Sequence, residues 1–446
     1  MAVAVLNPTQ LLKPQLIKGR AERVIAAIDV GSSKVAALVA MADGENMPRV
    51  IGAGVRASNG LKRGLVADMA KTETAIRAAM MQAEKAAGVE IESVIVNLSA
   101  GGLDSDVTSV EIDIAGHRIS EDDMAALLQA GRARIDETIS ARKNGGAGRS
   151  TLHAEPTLYT IDGLEGVTNP RGFHADRLAV DIHVLTAATP PCRNLDLAVR
   201  NAHLDVEAIV ASGVAASASV LNDEERELGV ALVEIGAGVT TVAVHGGGML
   251  AGLVSIPIGA GDITADIAAS FATRRAAAER LKTLSGAATS APRDNHDMIE
   301  IPPLDPEDGQ EPRRVPRSEL IAVIRARLDQ LFGEVDGALK DIGFTGAAGR
   351  QVVLTGGGAE LRGIADFAQG SLARNVRVGR PRGLIGLPEA QSTAAFATLA
   401  GLILHGSQPR LDLARMPVSR GSGDQTGRER PRSALARLFD QLKRQI

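Results

Sequence analysis

Two stretches of this chain, 205 residues apart, follow one plan. IAAIDVGSSKVAALV (25–39) and VALVEIGAGVTTVAV (230–244) each run from an apolar strand to an acidic residue, one apolar residue, a glycine, a short turn and a second strand. Asp29 and Gly31 thereby superpose on Glu234 and Gly236. The pattern predicts a β-hairpin at each place, with glycine permitting the tight turn. Backbone N–H groups at such turns can point at a phosphate chain, and a neighbouring carboxylate can hold magnesium through its water shell. Two such hairpins facing each other would clamp a magnesium-bound polyphosphate. A third element, VVLTGGGAELRG (352–363), reads as a strand running into Gly356, Gly357 and Gly358 and then a helix, which suits an anion or nucleoside at a helix N-terminus. It lacks the lysine–Ser/Thr ending of a P-loop. GAG (236–238) is followed by a strand where a dinucleotide fingerprint needs a helix. One acidic-x-Gly hairpin is an ordinary turn; the three elements together predict a nucleotide cleft between duplicated halves.

The surrounding elements are of the kind that would position these turns. Strand-like runs are VIAAIDV (24–30), KVAALVAM (34–41), SVIVNL (93–98), AVDIHVLTA (179–187), GVALVEI (229–235), TTVAVH (240–245) and RQVVLTG (350–356). Helical periodicity covers 68–87, 120–135, 193–203, 264–284, 318–340 and 390–405. Strands interleaved with helices of this length predict an α/β chain on central sheets. Residues 1–22 read as a mobile arm. Pro292 to Pro316, with six prolines and ten charged residues, reads as a surface loop, and Ser407 to Pro431 as a flexible polar linker.

Composition bounds the function. Hydrophobic residues are 45% and charged residues 23% of 446, an ordinary globular balance. Aromatics are only 2%, which leaves no platforms for stacking RNA or single strands, so no nucleic-acid partner is expected. One cysteine, Cys192, excludes an internal disulfide and a thiolate zinc site, and the cytosol is the default compartment. No apolar run approaches the roughly 18 residues of a membrane span, and no secretory signal is read at the N-terminus. The net charge of −4 is uneven: residues 1–23 carry +3 and 420–446 carry +4, which leaves −11 between them. Basic ends on an acidic body suit an anionic membrane or an acidic partner segment.

The wording of the three turns, IDVGSSKVAALV, LVEIGAGVTTVAV and VVLTGGGAELRG, resembles the phosphate-1, phosphate-2 and adenosine motifs of the actin, heat-shock chaperone and sugar kinase superfamily. Within it, NGLKRGLVAD (59–68), VLNDEERELGV (220–230) and PRSELIAVI (316–324) are similar in wording and order to the FtsA family of bacterial cell-division proteins. The likeness runs from about residue 24 to 406 and again over the last 15 residues. It implies an actin-like (ribonuclease H-like) duplicated α/β fold. Subdomain 1A would take 23–105, 185–215 and 391–406; an inserted subdomain 1C, 106–184; subdomain 2A, 216–266 and 344–390; and subdomain 2B, 267–343. It implies ATP and magnesium as cofactors. ATP would lie on Asp29, Gly31, Ser32, Ser33, Lys34, Glu234, Gly236, Gly238 and the Gly356, Gly357, Gly358 turn, with Asp29 and Glu234 reaching the magnesium through water. AERLK (278–282) matches the Glu-x-x-Lys that holds adenosine in the superfamily. Positions i and i+3 share a helix face, so Glu279 would reach ribose hydroxyls while Lys282 flanks the base; a plain surface ion pair is the alternative. Phosphate-2 departs from the usual pattern, with Glu234 in place of Asp, Ala237 between the glycines and Thr241 where a second Asp is common. ATP binding survives these departures more easily than fast hydrolysis, and no residue is nominated as the catalytic base.

The same resemblance implies partners: self-association into a filament, later division proteins through 1C, and the C-terminal tail of the tubulin-like FtsZ on 2B. Arg317 and Arg327 align with the family's basic positions there and would donate to an acidic peptide. The tail 432–446 carries a signal of its own. At roughly 100° per residue, Leu435, Leu438, Phe439, Leu442 and Ile446 share one arc of about 100°, with Arg437, Lys443 and Arg444 outside it. A basic amphipathic helix behind a linker predicts peripheral attachment to the cytoplasmic side of the inner membrane. Two other readings stand beside this one: a soluble ATP-dependent phosphotransferase of the sugar-kinase type, and a PilM-like pilus-assembly protein.

Overall fold

The computed structural model describes residues 22–141, 148–305, 311–345, 351–408, 411–415 and 428–429. The chain opens with β1 (Arg23–Val30), β2 (Lys34–Ala42) and β3 (Arg49–Ala57), a small hairpin of β4 (Leu61–Lys62) and β5 (Leu65–Val66), then α1 (Met69–Ala87) and β6 (Ser93–Leu98). β1 is central: it pairs antiparallel with β2 along its length and parallel with β6. Both its faces are covered, which is why it is continuously apolar rather than alternating. β3 was not legible as a strand because RVIGAGVRA is broken by two glycines. The structure explains them: a Cβ at Gly54 would lie 2.0 Å from the Ala79 carbonyl, and one at Gly52 2.2 Å from the Ala83 carbonyl. The strand meets α1 too closely for side chains.

An inserted unit follows, with β7 (Asp104–Asp113), α2 (Glu121–Ala141), β8 (Arg149–Ile161), β9 (Leu164–Val167) and β10 (Arg177–Ala188). Its sheet is separate from the others and is cored by α2, which buries Leu127, Leu128 and Ile135 against Leu178 and Ile182. The chain then returns through α3 (Thr189–Asn201) to β11 (Asp205–Ala211), which completes the first sheet in the order β11–β6–β1–β2–β3.

After α4 (Ser212–Val220) and α5 (Asp223–Leu228) the plan repeats with β12 (Val230–Ile235), β13 (Thr240–Gly246) and β14 (Met249–Ile256). Next come α6 (Ala260–Phe271), α7 (Arg275–Ser285), β15 (Met298–Ile301), β16 (Arg313–Pro316), α8 (Arg317–Ile342), β17 (Gln351–Thr355), α9 (Ile364–Leu372), β18 (Asn375–Val378) and α10 (Ala397–Ser407). The second sheet, read β18–β17–β12–β13–β14, has the pairing sense of the first: two parallel neighbours, then two antiparallel ones. The duplication seen in two hairpins extends over five strands.

Three expectations are corrected. The helix expected at 264–284 is two helices, α6 and α7, separated at Ala272, whose φ of 49° ends the first. Pro292–Pro316 is no plain surface loop: β15 and β16 pair antiparallel, and Asp294 is only 2% exposed. The stretch expected as a flexible linker is tied to the insert where it is described. Leu413 is fully buried in the insert's core, Asp412 Oδ1 accepts from the Ala154 N–H at 2.9 Å, and Arg132 donates to the Leu413 carbonyl at 2.8 Å. β19 (Arg428–Glu429) then adds to the free edge of β7. The N-terminal arm up to residue 21 and the amphipathic segment 432–446 lie outside the described residues. No helix among the described residues is long and apolar enough to cross a membrane.

Candidate functional site

The two duplicated hairpins have matching turns. The Gly31 N–H donates to the Lys34 carbonyl at 3.0 Å, and the Gly236 N–H to the Val239 carbonyl at 2.9 Å. Asp29 sits opposite Ala36, as Glu234 sits opposite Thr241. Over the last six residues of each first strand the burial pattern is identical, and the acidic residue is the one position not fully enclosed. The turns face each other: a Cβ on Gly238 would lie 2.9 Å from Ser32 Oγ and 3.0 Å from Arg63 Cα. Ser32 Oγ is itself held by the Gly64 N–H at 3.0 Å. Between them opens a cleft of about 750 Å³. The residues singled out for ATP all border it: Asp29, Gly31 to Lys34, Glu234, Gly236, Gly238, Glu279, Lys282 and Gly356 to Gly358.

Burial dominates the electrostatics here. It pushes the Asp29 carboxyl up, against the opposing pull of Lys34 and of Asn97, whose amide donates to Asp29 Oδ1 at 2.7 Å. It pushes Glu234 up as well, against a hydrogen bond from Thr398 to Oε1. Glu234 Oε2 is buried with no hydrogen-bond partner among the described residues. Lys34 donates to the Ala395 carbonyl at 2.6 Å and lies 4.2 Å from the Phe396 ring centroid, so its charge is fixed to the cleft wall. Two carboxyls that resist ionisation beside one held cation form a site that gains from a divalent ion.

Across the cleft, α7 carries Glu279 and Lys282. Lys282 Nζ lies 2.8 Å from Glu279 Oε2 and donates to Thr264 Oγ1 at 2.8 Å and to the Ala260 carbonyl at 3.1 Å. Partial burial pushes Glu279 up, but hydrogen bonds from Lys282 and Thr264 outweigh it and hold the carboxyl below its usual range. The Lys282 side chain is 13% exposed, which is not the state of a plain surface pair. The three-glycine turn divides by cause. Gly356, at φ 81°, would place a Cβ 2.6 Å from the Ile235 carbonyl, and Gly358 one 2.3 Å from Ile235 Cγ2. Gly357 would meet only Ala395 Cβ at an ordinary 3.7 Å, so nothing in the protein requires glycine there. The turn continues as a single 3₁₀ turn, Gly357–Glu360, and not as the expected α-helix, which begins only at Ile364. No α-helix N-terminus therefore faces the cleft at this turn.

Several residues of the site carried no short motif. Asn97 and Thr398 orient the two carboxyls, Thr264 joins Glu279 to Lys282, and Arg275 and Arg362 border the cleft. Asn97 is the polar residue near the end of the apolar strand SVIVNL, and Thr398 the hydroxyl in the otherwise apolar run Ala397 to Leu404 of α10. Those interruptions were the available signal. Arg63, at φ 49°, spans the mouth of the cleft from one half to the other, with Nη2 2.9 Å from Asp262 Oδ1 and a further bond to the Pro257 carbonyl.

The two arginines singled out for a partner peptide are engaged inside the chain. Arg317, the first residue of α8, lies 2.5 Å from Asp294 Oδ1 and donates to the Ser285 carbonyl at 2.7 Å. Arg327 grips both oxygens of Asp266 at 2.6 and 2.7 Å. Both guanidiniums tie α8 to its neighbours. Leu435, Arg437, Leu438, Phe439, Leu442, Lys443, Arg444 and Ile446, expected at a membrane, fall outside the described residues.

Comparison with known proteins agrees with this architecture. The family described as "Cell division protein FtsA" matches residues 231–401, and "SHS2 domain inserted in FTSA" matches 101–186. Cell division protein FtsA of Rhizobium meliloti is 37% identical over 404 residues, spanning 88% of this chain and 89% of its own length. The Pseudomonas aeruginosa protein of the same name is 30% identical over 424 residues, 95% of this chain and 97% of its own. Among solved structures, the PilM-PilN type IV pilus biogenesis complex superposes with a TM-score of 0.58 at 18% identity, covering 87% of this chain and all of that one. At that identity the likeness speaks for the fold alone.

Proposed function

Because the chain belongs to the FtsA family of cell-division proteins, with an actin-like fold and an SHS2 insert, we propose that it binds magnesium-ATP in the cleft between its duplicated halves. In that state it assembles into filaments on the cytoplasmic face of the inner membrane, holds FtsZ there by its C-terminal tail, and recruits later division proteins through the insert. The observation that carries the nucleotide reading is the facing pair of turns with Asp29 and Glu234 at their bases. The residues present fit such a ligand: Glu234 Oε2 is buried with no hydrogen-bond partner among the described residues, and a Cβ at Gly357 would meet only Ala395 Cβ among them. Asp29 and Glu234 would hold the ion through water, the two turns would face the phosphates, and Glu279 with Lys282 would border the nucleoside. A bound magnesium would supply charge neutralisation for the phosphates and favour the ionised form of both carboxyls.

Thr241, opposite Glu234, lies 3.3 Å from Ser212 Oγ and is buried, so this position offers a paired hydroxyl and no acid. That favours binding over rapid hydrolysis. Arg317 and Arg327, each paired within the chain, and the exposed Arg313 nearby would meet the acidic tail at the start of α8. The segment 432–446 would attach the filament to anionic lipid. Each helix binds weakly, and a filament carrying many binds firmly through effective concentration.

Sedimentation with anionic liposomes tests this function. With magnesium-ATP, wild-type protein should pellet and carry an FtsZ-tail peptide with it. Leu438→Asp with Phe439→Asp should stay in the supernatant, because two charges among acyl chains cost several kcal/mol. Wild-type protein that remains in the supernatant with ATP present would contradict the proposal.

A further inference from the structure

A second large groove, of about 730 Å³, lies between β14, the start of β7 and the outer face of α8, away from the nucleotide cleft. Its floor is apolar, with Leu103, Val254, Ala338 and Ile342 among the lining residues. It stays open along α8 because Gly333 and Gly337, one turn apart, carry no side chain, and a Cβ on either would meet nothing within 4 Å. Its rim is acidic: Asp329, Glu334 and Asp341 of α8, and Asp104 of β7. The three α8 carboxylates form no ion pair among the described residues, and no lysine or arginine lines the groove. An apolar floor with a rim of four carboxylates suits a basic amphipathic helix.

The chain leads a segment of that sequence pattern toward this place. β19 runs antiparallel to β7, with Arg428 opposite Glu111 and Glu429 opposite Val110, so the backbone leaves it heading toward the Asp104 end of β7. Asp104 is six residues from Val110, or about 20 Å at the rise of a strand. Extended residues 430–435 would cover that distance and bring the rest of the segment to the groove. The segment 432–446 has Arg432, Arg437, Lys443 and Arg444 against one acid, Asp440, a charge of +3, and its apolar arc is one face wide. The apolar arc cannot lie in this groove and in a membrane at once.

We propose that the segment 432–446 docks its C-terminal part, from about Leu435 onward, in the β14–α8 groove of its own chain when no lipid is present, and that anionic membrane and groove compete for it. The contact itself stands on the groove and the path of β19; only its competition with lipid rests on the membrane reading above.

The test is photo-crosslinking in full-length protein with a benzophenone amino acid in place of Leu438, mixed with isotopically heavy wild-type chain. The expected result is an intramolecular crosslink into 251–257 or 329–342, lost when phosphatidylglycerol vesicles are added. Crosslinks elsewhere, none at all, or crosslinks mainly to the heavy chain would overturn the proposal. Asp329→Asn with Glu334→Gln and Asp341→Asn, all on an exposed helix face, should lower the crosslink yield and raise vesicle affinity about fivefold, the weight of three exposed charge pairs. An unchanged crosslink yield would sink the docking. A groove crosslink that falls in the triple variant, in a protein that ignores vesicles altogether, would uphold the docking and remove the membrane reading instead.

Discussion

Glu234 shows how a single side chain is set by neighbours that lie far off in the sequence. Thr398 donates to one oxygen, burial disfavours the charge, and the other oxygen has no partner among the described residues. The identity of the acid was legible from its place before a glycine turn; its state was not, because Thr398 is 164 residues away. Arg317 and Arg327 teach the converse. Their residue type and position resembled a docking surface, and each is also paired with an internal carboxylate that sequence could not pair with it. Asp294, the partner of Arg317, is held below the usual carboxylate range first by the Ala291 N–H and then by that guanidinium. Arg317→Glu should therefore lower the melting temperature by several degrees, since it sets two carboxylates against each other in a buried place. Arg325→Glu, on the exposed face of the same helix, should leave it unchanged in a thermal melt. If both variants melt like wild type, the Arg317–Asp294 tie carries no weight.

Among the elements, those with an uninterrupted signal were legible and those shaped by their neighbours were not. SVIVNL appears as expected at 93–98, and both hairpins keep the register that the duplication implied. β3 was invisible because its glycines answer to α1, a long-range contact that no local propensity records. The split between α6 and α7 was missed because the apolar period continues across Ala272. β15 and β16 were hidden among prolines that fall at strand ends, where a missing N–H is tolerated. The glycine reading of β3 can be measured. Gly54→Val would force a side chain to within 2.0 Å of a helix carbonyl, so α1 or β3 must shift. The expected loss is about 3 kcal/mol or more by urea denaturation. A loss under about 1 kcal/mol would mean that the strand and helix separate freely.

At the scale of the whole molecule, buried histidines of the insert and the second half meet at one cavity. His183 of the insert and His245 of the second half line one cavity of about 200 Å³ with His153, Glu155 and Arg226. Burial pushes His183 down to about 4, opposed by Asp106, and His245 down to about 3, helped by Arg226 and His183. Unfolded histidines titrate near 6.5, so between that value and the folded ones the unfolded chain takes up protons that the folded chain refuses. Stability is thus full above pH 6.5 and falls as acid is added, by about 2 kcal/mol per histidine at pH 5. Denaturation at pH 7.5 and pH 5 should show this loss, and His183→Gln with His245→Gln should flatten it. A pH slope that is the same in that variant would place the acid sensitivity elsewhere. The central claim, that the duplicated cleft holds ATP, is tested most directly by calorimetry on Gly357→Val. A Cβ there meets only Ala395 Cβ, at an ordinary 3.7 Å, so the variant should melt like wild type, but the branched chain would project into the space proposed for the nucleoside, and ATP binding should vanish. Unchanged ATP affinity in a folded Gly357→Val protein would contradict the account.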